Sequence, residues 1–267
     1  MPGTPPPSLL IAAPIQRSGT TWLQRYLTAA GDYFIWGENH LLIENLRLIH
    51  ERWPDAGMSH SDMEEVAKDG NKVTSYYFPN LSPDREQVLA AFRRTFRDIY
   101  PPPETLKRRR WGWKEVRYGM PEIRFVRDLF PEIKLLFVVR NPYNAIRSVR
   151  RMGWIDDAKY YTVDYLAKIW SERTQDMMEF AEADDEQSLF VRYEEVRDQL
   201  DTIDRFADID ERATNALEVL DNRLGSAPVA EKYDLTEDDI DIIGAIGGYL
   251  LDRLDYTPPD LDTVANQ

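Results

Sequence analysis

The stretch LLIAAPIQRSGTTWLQRYL, Leu9–Leu27, decides the fold. Its first part, SLLIAAP (8–14), is a short apolar run bounded by proline and reads as a buried strand. The continuation GTTWLQRYLTAAG sets Trp22, Leu23, Tyr26 and Leu27 at helical spacing, with Gly31 as a stop. A strand that runs through a loop into a helix start makes an anion site. The first backbone N–H groups of the helix are unpaired, and the macrodipole favours negative charge there. Within the loop, Gly19 permits a tight backbone, Ser18, Thr20 and Thr21 offer hydroxyls, and Arg17 brings a fixed positive charge. The nucleotide-triphosphate pattern G-x-x-x-x-G-K-[ST] is absent, because Thr20 stands where its lysine would follow the glycine.

Working outward, strands and helices alternate. YFIWGEN is a second short strand, and HLLIENLRLIHERW an amphipathic helix. RWGWKEVRYG (110–119) reads as a strand and the turn after it, and PEIRFVRDLFP as a helix ended by Pro131. IKLLFVVR (133–140) is continuously apolar, as suits a parallel strand covered on both faces. NPYNAIRSVRRMG starts a helix near Pro142. A long helix is predicted over Val163–Ala183, a buried strand in SLFVRYEEV (188–196), and a helix in LTEDDIDIIGAIGGYLLDRLDY, acidic early and basic late. This alternation predicts an α/β fold with a central, mainly parallel sheet flanked by helices. Residues 54–110 are helical material broken by Pro, Gly and Asn. They are expected to form a cap on one end of the sheet within a single domain spanning 1–267, with flexible tails at 1–7 and 257–267.

Composition narrows the function. Among 267 residues, 43% are apolar and 30% charged, and the formal net charge is −14. Nucleic acid is therefore not expected as a partner, since its phosphates need a basic face. Without cysteine there are neither disulfides nor thiolate metal sites. No apolar run approaches the ~20 residues of a membrane span, and MPGTPPPSLL lacks the basic and apolar regions of a signal peptide. The expected setting is cytoplasmic. A magnesium-dependent nucleoside triphosphatase also needs an acid at the end of a neighbouring strand. The best candidate, LLFVVR, ends instead in Arg140. The ligand inferred from this has two separated anionic groups and needs no metal.

These residues resemble a known family. PIQRSGTTW is similar to the 5′-phosphosulfate loop of sulfotransferases, P-[KR]-S-G-T-T-[WL]. FVVRNPYNAIRS resembles their 3′-phosphate motif, an apolar strand, then R-[DN]-P, then a serine eight residues after the arginine. FVRYEEV resembles a later strand ending in Tyr-Glu. The resemblance implies a P-loop-like three-layer fold. It also implies 3′-phosphoadenosine 5′-phosphosulfate (PAPS) as donor, its desulfated form (PAP) as product, and no metal requirement. Two residues separate Pro14 from Arg17, where the family has none or one.

Sulfuryl transfer is an in-line displacement, so catalysis rests on positioning and charge stabilisation. By resemblance, Arg17 stabilises the bridging oxygen and Lys114 in WGWKEVR reaches the sulfuryl group, although Val116 replaces a proline there. Glu38 in WGENH is the expected base, with His40 its competitor. Arg140 and Ser148 are expected on the 3′-phosphate, and Trp22 and Tyr193 beside the adenine. Arg223 in NRLGSAP (222–228) is the candidate from a much-reduced basic C-terminal loop. KRRR (107–110) is expected to rim the site or to be solvated. The acceptor is a glycan or a small alcohol or phenol, with its pocket shaped by 54–110 and 152–165, and a homodimer is left open. The rival readings are a small-molecule or nucleotide kinase with a degenerate loop, and a nucleotide-binding protein without catalysis.

Overall fold

Five of the apolar runs lie side by side as a parallel sheet in the computed structural model, which describes residues 4–54, 57–58, 60–68, 82–155, 161–184, 186–216, 218 and 234–259. In chain order the elements are β1 (Leu9–Ala12), α1 (Thr20–Ala30), β2 (Tyr33–Trp36), α2 (Leu42–Glu51), β3 (Gly57–Met58), α3 (His60–Lys68), β4 (Ser82–Pro83) and α4 (Arg85–Ile99). They continue with β5 (Arg110–Glu115), α5 (Met120–Leu129), β6 (Lys134–Val139), α6 (Pro142–Arg151), α7 (Val163–Ala183), β7 (Ser188–Arg192), α8 (Leu200–Phe206) and α9 (Glu237–Arg253).

The chain divides into two compact units. One comprises residues 7–38, 102–121 and 132–267, and the other residues 1–6, 39–101 and 122–131. The first holds the sheet, in the order β2-β5-β1-β6-β7 with every pairing parallel. Alternate residues of a strand face opposite sides, so a strand covered on both faces must be apolar throughout. Leu9, Ile11, Leu136 and Val138 pack with Leu23, Tyr26 and Leu27 of α1 and Ile203 of α8. Val139 packs with Ile146 of α6, Trp170 of α7 and Leu250 of α9, and Phe137 meets Phe180 of α7 edge to face. Helices thus cover both faces, giving the expected three-layer α/β arrangement. Between β1 and β5 the backbones come so close that a Cβ on Gly112 would lie 1.9 Å from the Leu9 carbonyl oxygen.

Helix starts are fixed by side-chain caps. Asn141 accepts from the Tyr143 N–H just ahead of α6, and Thr162 accepts from the Tyr165 N–H at α7. At α9, Thr236 and Asp239 form a reciprocal capping box, and Arg150 of α6 grips the Asp239 carboxylate with both ends of its fork. Burial alone would raise the Asp239 pKa, but the hydrogen bonds from Arg150 and Thr236 outweigh it and hold the carboxyl below its ordinary value. A depressed carboxyl stabilises the fold above its unfolded pKa, and that stability is lost as pH falls through the folded value. Asp239→Asn is accordingly expected to cost about 1–3 kcal/mol at neutral pH. The gap from the parent should narrow as pH falls through the depressed pKa of the folded carboxyl, as paired urea melts would show.

The basic run KRRR does not rim the strand ends that follow. Because β5 runs from Arg110 to Glu115, these arginines sit at its start, on the opposite edge of the sheet. There Arg108 donates to the Gly31 carbonyl, Arg109 pairs with Asp32, and Arg110 donates to the Ala207 and Asp208 carbonyls while lying over the Tyr33 ring. Arg108 and Arg110 tie down loops, while Lys107 and Arg109 are exposed, so the run is in part solvated as expected but does not rim the cavity.

In the other unit, Arg47 of α2 bridges Glu51 and Glu122, and Arg93 of α4 donates to the Asp128 and Leu129 carbonyls at the end of α5. Residues 69–81, within the stretch expected to cap the sheet, lie outside the described residues, as do 260–267 of the expected tail. No helix among the described residues is long and apolar enough to cross a membrane.

Candidate active site

In a parallel sheet all C-terminal strand ends share one edge. Here the chain leaves β1 for β2 on one flank, and after β5 crosses to β6 and β7 on the other. Such a switch point opens a crevice at the strand ends. A cavity of about 1150 Å³ lies there, lined by residues that follow all five strands. Seven basic side chains reach it (Arg17, Arg25, Lys114, Arg117, Arg140, Arg151 and Arg197), against the carboxylates of Glu38 and Glu194. In a chain of net charge −14, this concentrates positive potential where a ligand would enter.

The loop after β1 forms the cavity floor. Two of its residues are left-handed, Arg17 at φ 67° and Gly19 at φ 96°. Gly19 is the N-cap of α1, makes no side-chain cap, and is followed by a first turn without acids, so the helix start keeps its affinity for anions. The Tyr193 ring lies against Gly19, and a Cβ there would fall 2.1 Å from the ring. The two residues between Pro14 and Arg17 have clear uses. Ile15 is buried in the core, and Gln16 donates to the Tyr161 hydroxyl at 2.9 Å. Thr20, Thr21 and Trp22 line the cavity, with Trp22 stacked on Tyr26. Ser18 does not. It is fully buried, and its hydroxyl donates to the Ile15 carbonyl, satisfying the loop's own backbone; this corrects its assignment as a hydroxyl donor to a ligand.

After β6, Arg140 is held by its own backbone. Its carbonyl accepts from the Trp170 indole, while the next N–H, of Asn141, donates to Glu194. Its guanidinium lies 4.8 Å from the Tyr193 ring centre and donates from Nη1 to the Arg17 carbonyl at 3.0 Å. Its Nε is buried with no hydrogen-bond partner among the described residues. Burial pulls this guanidinium below the usual arginine pKa, partly offset by Tyr193 and Glu194. Ser148, two turns into α6, accepts from Arg17 Nε at 2.9 Å. The cation expected at one anion and the hydroxyl expected at the other are therefore in contact.

On the other flank, Trp36 and Trp113 are register partners in β2 and β5, so Glu38 and Lys114 emerge side by side just beyond them. Lys114 Nζ donates to Glu38 Oε1 at 2.5 Å, and Arg117 holds Oε2 at 3.0 Å. Glu38 is 21% exposed and Lys114 13%, enough for both to face the cavity. Glu115, which also ends a strand beside β1, turns away. It is buried, and its carboxylate accepts from the Val116 N–H, a bond that a proline at 116 could not donate. His40 is exposed, at φ 51°, and is not among the cavity residues. Arg223 lies outside the described residues, and so do residues 156–160 of the segment expected to shape the acceptor pocket. No cluster of His, Asp or Glu that could hold a metal occurs among the described residues.

Trp154 and Tyr161 of the 152–165 segment line the cavity, but several other lining residues were not anticipated: Arg25, Arg117, Asn144, Arg151 and Arg197. Asn144, Ser148 and Arg151 follow i, i+4, i+7 spacing, a stripe that periodicity could have picked out once Ser148 was placed. Arg117 carried no such signal.

Comparison with known proteins adds the following. A model described as the sulfotransferase family matches residues 12–209, well over half of the chain. Among solved structures, the chain is similar to the sulfotransferase domain from the curacin biosynthetic pathway. There the TM-score is 0.56 and the identity 15%, over 95% of this chain and 99% of that one. It is also similar to the sulfotransferase domain from the Synechococcus PCC 7002 olefin synthase, with a TM-score of 0.50 and 19% identity over 96% and 97%. Likeness at these identities speaks for the fold. No curated protein sequence matches.

Proposed function

We propose that this chain, which belongs to the sulfotransferase family, transfers a sulfuryl group from PAPS to a hydroxyl of a small-molecule or glycan acceptor. The observation that carries this reading is the gathering of the first loop, Arg140 with Ser148, and Glu38 with Lys114 around one cation-rich cavity. The residues suit such a donor. An uncapped helix start at Gly19 favours the 5′ anion, and the unpartnered Nε of Arg140 favours a second anion some distance away.

PAPS supplies an activated sulfuryl group whose leaving group is the nucleotide 5′-phosphate. Glu38 takes the proton of the acceptor hydroxyl. Both its oxygens are engaged, so the hydroxyl enters beside Arg117, the longer and more exposed of the two contacts. Lys114 has three donors, and can stay on Glu38 while another turns to the sulfuryl oxygens. Arg17 reaches the bridging oxygen by exchanging Ser148 for the donor. Its exposed side chain permits that swing while its backbone stays tied to Arg140. Ser148 is thereby released to the 3′-phosphate.

Calorimetric titration with PAP in the presence of a chelator tests the donor assignment. Binding without Mg²⁺, and tighter than binding of adenosine 5′-phosphate, is expected. Absence of binding, or a strict need for Mg²⁺, would return the site to the kinase reading.

A further inference from the structure

We infer that Arg151 is a second cationic ligand of the donor's 3′-phosphate, acting with Arg140 and Ser148; the inference rests on the PAPS reading above. A phosphate monoester carries nearly two charges and three acceptor oxygens at neutral pH. Arg140 and the Ser148 hydroxyl together answer only one of those charges. A second guanidinium close to Ser148 would complete the set, and helix α6 carries three arginines in its last two turns: Arg147, Arg150 and Arg151.

Geometry separates the three. Arg150 is committed to Asp239 through both ends of its fork and is 12% exposed. Arg147 donates to Asn144 and does not line the cavity. Arg151 does line it, three residues after Ser148 on the same helix face, where side chains stand about 5–6 Å apart at their Cβ atoms. The opposite face of the helix, Ala145, Ile146 and Val149, is sunk in the core, so the stripe cannot turn away.

The acid beside Arg151 is Asp234, at 2.9 Å from Nη2. It binds one edge of the fork and so orients the side chain. Arg147 Nε stands 3.9 Å from the same carboxylate, and two cations therefore face this one acid. At 42% exposure the Arg151 side chain can pivot on that contact to present its other donors. Arg suits this position better than Lys, because its planar fork matches phosphate oxygens in pairs.

The test compares PAP with adenosine 5′-phosphate, which lacks the 3′-phosphate, by calorimetry on the full chain. Arg151→Ala is expected to weaken PAP by roughly ten- to a hundredfold and to leave adenosine 5′-phosphate within about twofold. Arg151→Lys, which preserves the charge and the helix-end cation, should recover part of the loss. Unchanged PAP affinity in Arg151→Ala would overturn the inference. So would equal weakening of both nucleotides, which would mark a merely structural role. A parent protein that binds PAP no better than adenosine 5′-phosphate overturns the donor reading itself, and this is seen before any variant is made.

Discussion

Replacing Glu38 with glutamine is expected to lower sulfuryl transfer about 10²–10⁴-fold, the usual worth of a positioned general base. PAP affinity should change by no more than about twofold, since an amide oxygen can still accept from Lys114. The side chain keeps its size and place between β2 and β5, so the fold should survive. What is lost is the lone pair that receives the acceptor's proton. The measurement is transfer of label from PAPS to an acceptor identified by screening, alongside PAP titration. A variant that keeps a tenth or more of the parent's rate would remove Glu38 from the role. If PAP affinity fell with the rate, the ion pair with Lys114 would instead be organising the donor site. Arg117 makes the experiment more telling. It holds the second carboxylate oxygen at 3.0 Å, and Arg117→Ala should leave transfer standing where Glu38→Gln does not.

Arg140→Ala is expected to weaken PAP about a hundredfold or more. The argument is electrostatic. This guanidinium is held against the Tyr193 ring with a buried, unpartnered Nε, and burial already disfavours its charge. An arriving phosphate relieves that cost as well as making new bonds, so the loss on deletion exceeds that of a solvated surface contact. Because Arg140 also donates to the Arg17 carbonyl, some loosening of the first loop should follow. Adenosine 5′-phosphate measures that part separately. Equal losses for both nucleotides would mean that Arg140 serves the loop and not a 3′-phosphate.

Much of the fold could be read before any coordinates. The continuous apolar runs at Leu9–Ala12 and Lys134–Val139 became the sheet's central strands, since a strand covered on both faces has no room for alternation. The long helix predicted over Val163–Ala183 is found with those bounds. Side-chain direction was far less legible. Ser18, surrounded by cavity-lining neighbours, turns inward because the tight loop leaves the Ile15 carbonyl to be satisfied. In KRRR, Lys107 and Arg109 are solvated, yet Arg108 and Arg110 serve backbone carbonyls brought near by folding.

By itself the sequence determined the strand-loop-helix at Leu9–Ala30, the alternation that makes a parallel sheet, and the two stretches that resemble the sulfotransferase family's motifs. These depend on local periodicity, glycine geometry and charge within a few residues of one another. Only the tertiary structure decided that Glu38 lies between Lys114 and Arg117, that Tyr193 closes on Gly19, and that Arg151 shares a cavity with Arg140. The physical reason is strand order. Placing β5 between β2 and β1, and β6 on the far side of β1, brings residues far apart in the chain to one sheet edge. Pairings of that kind leave no periodic trace in the sequence.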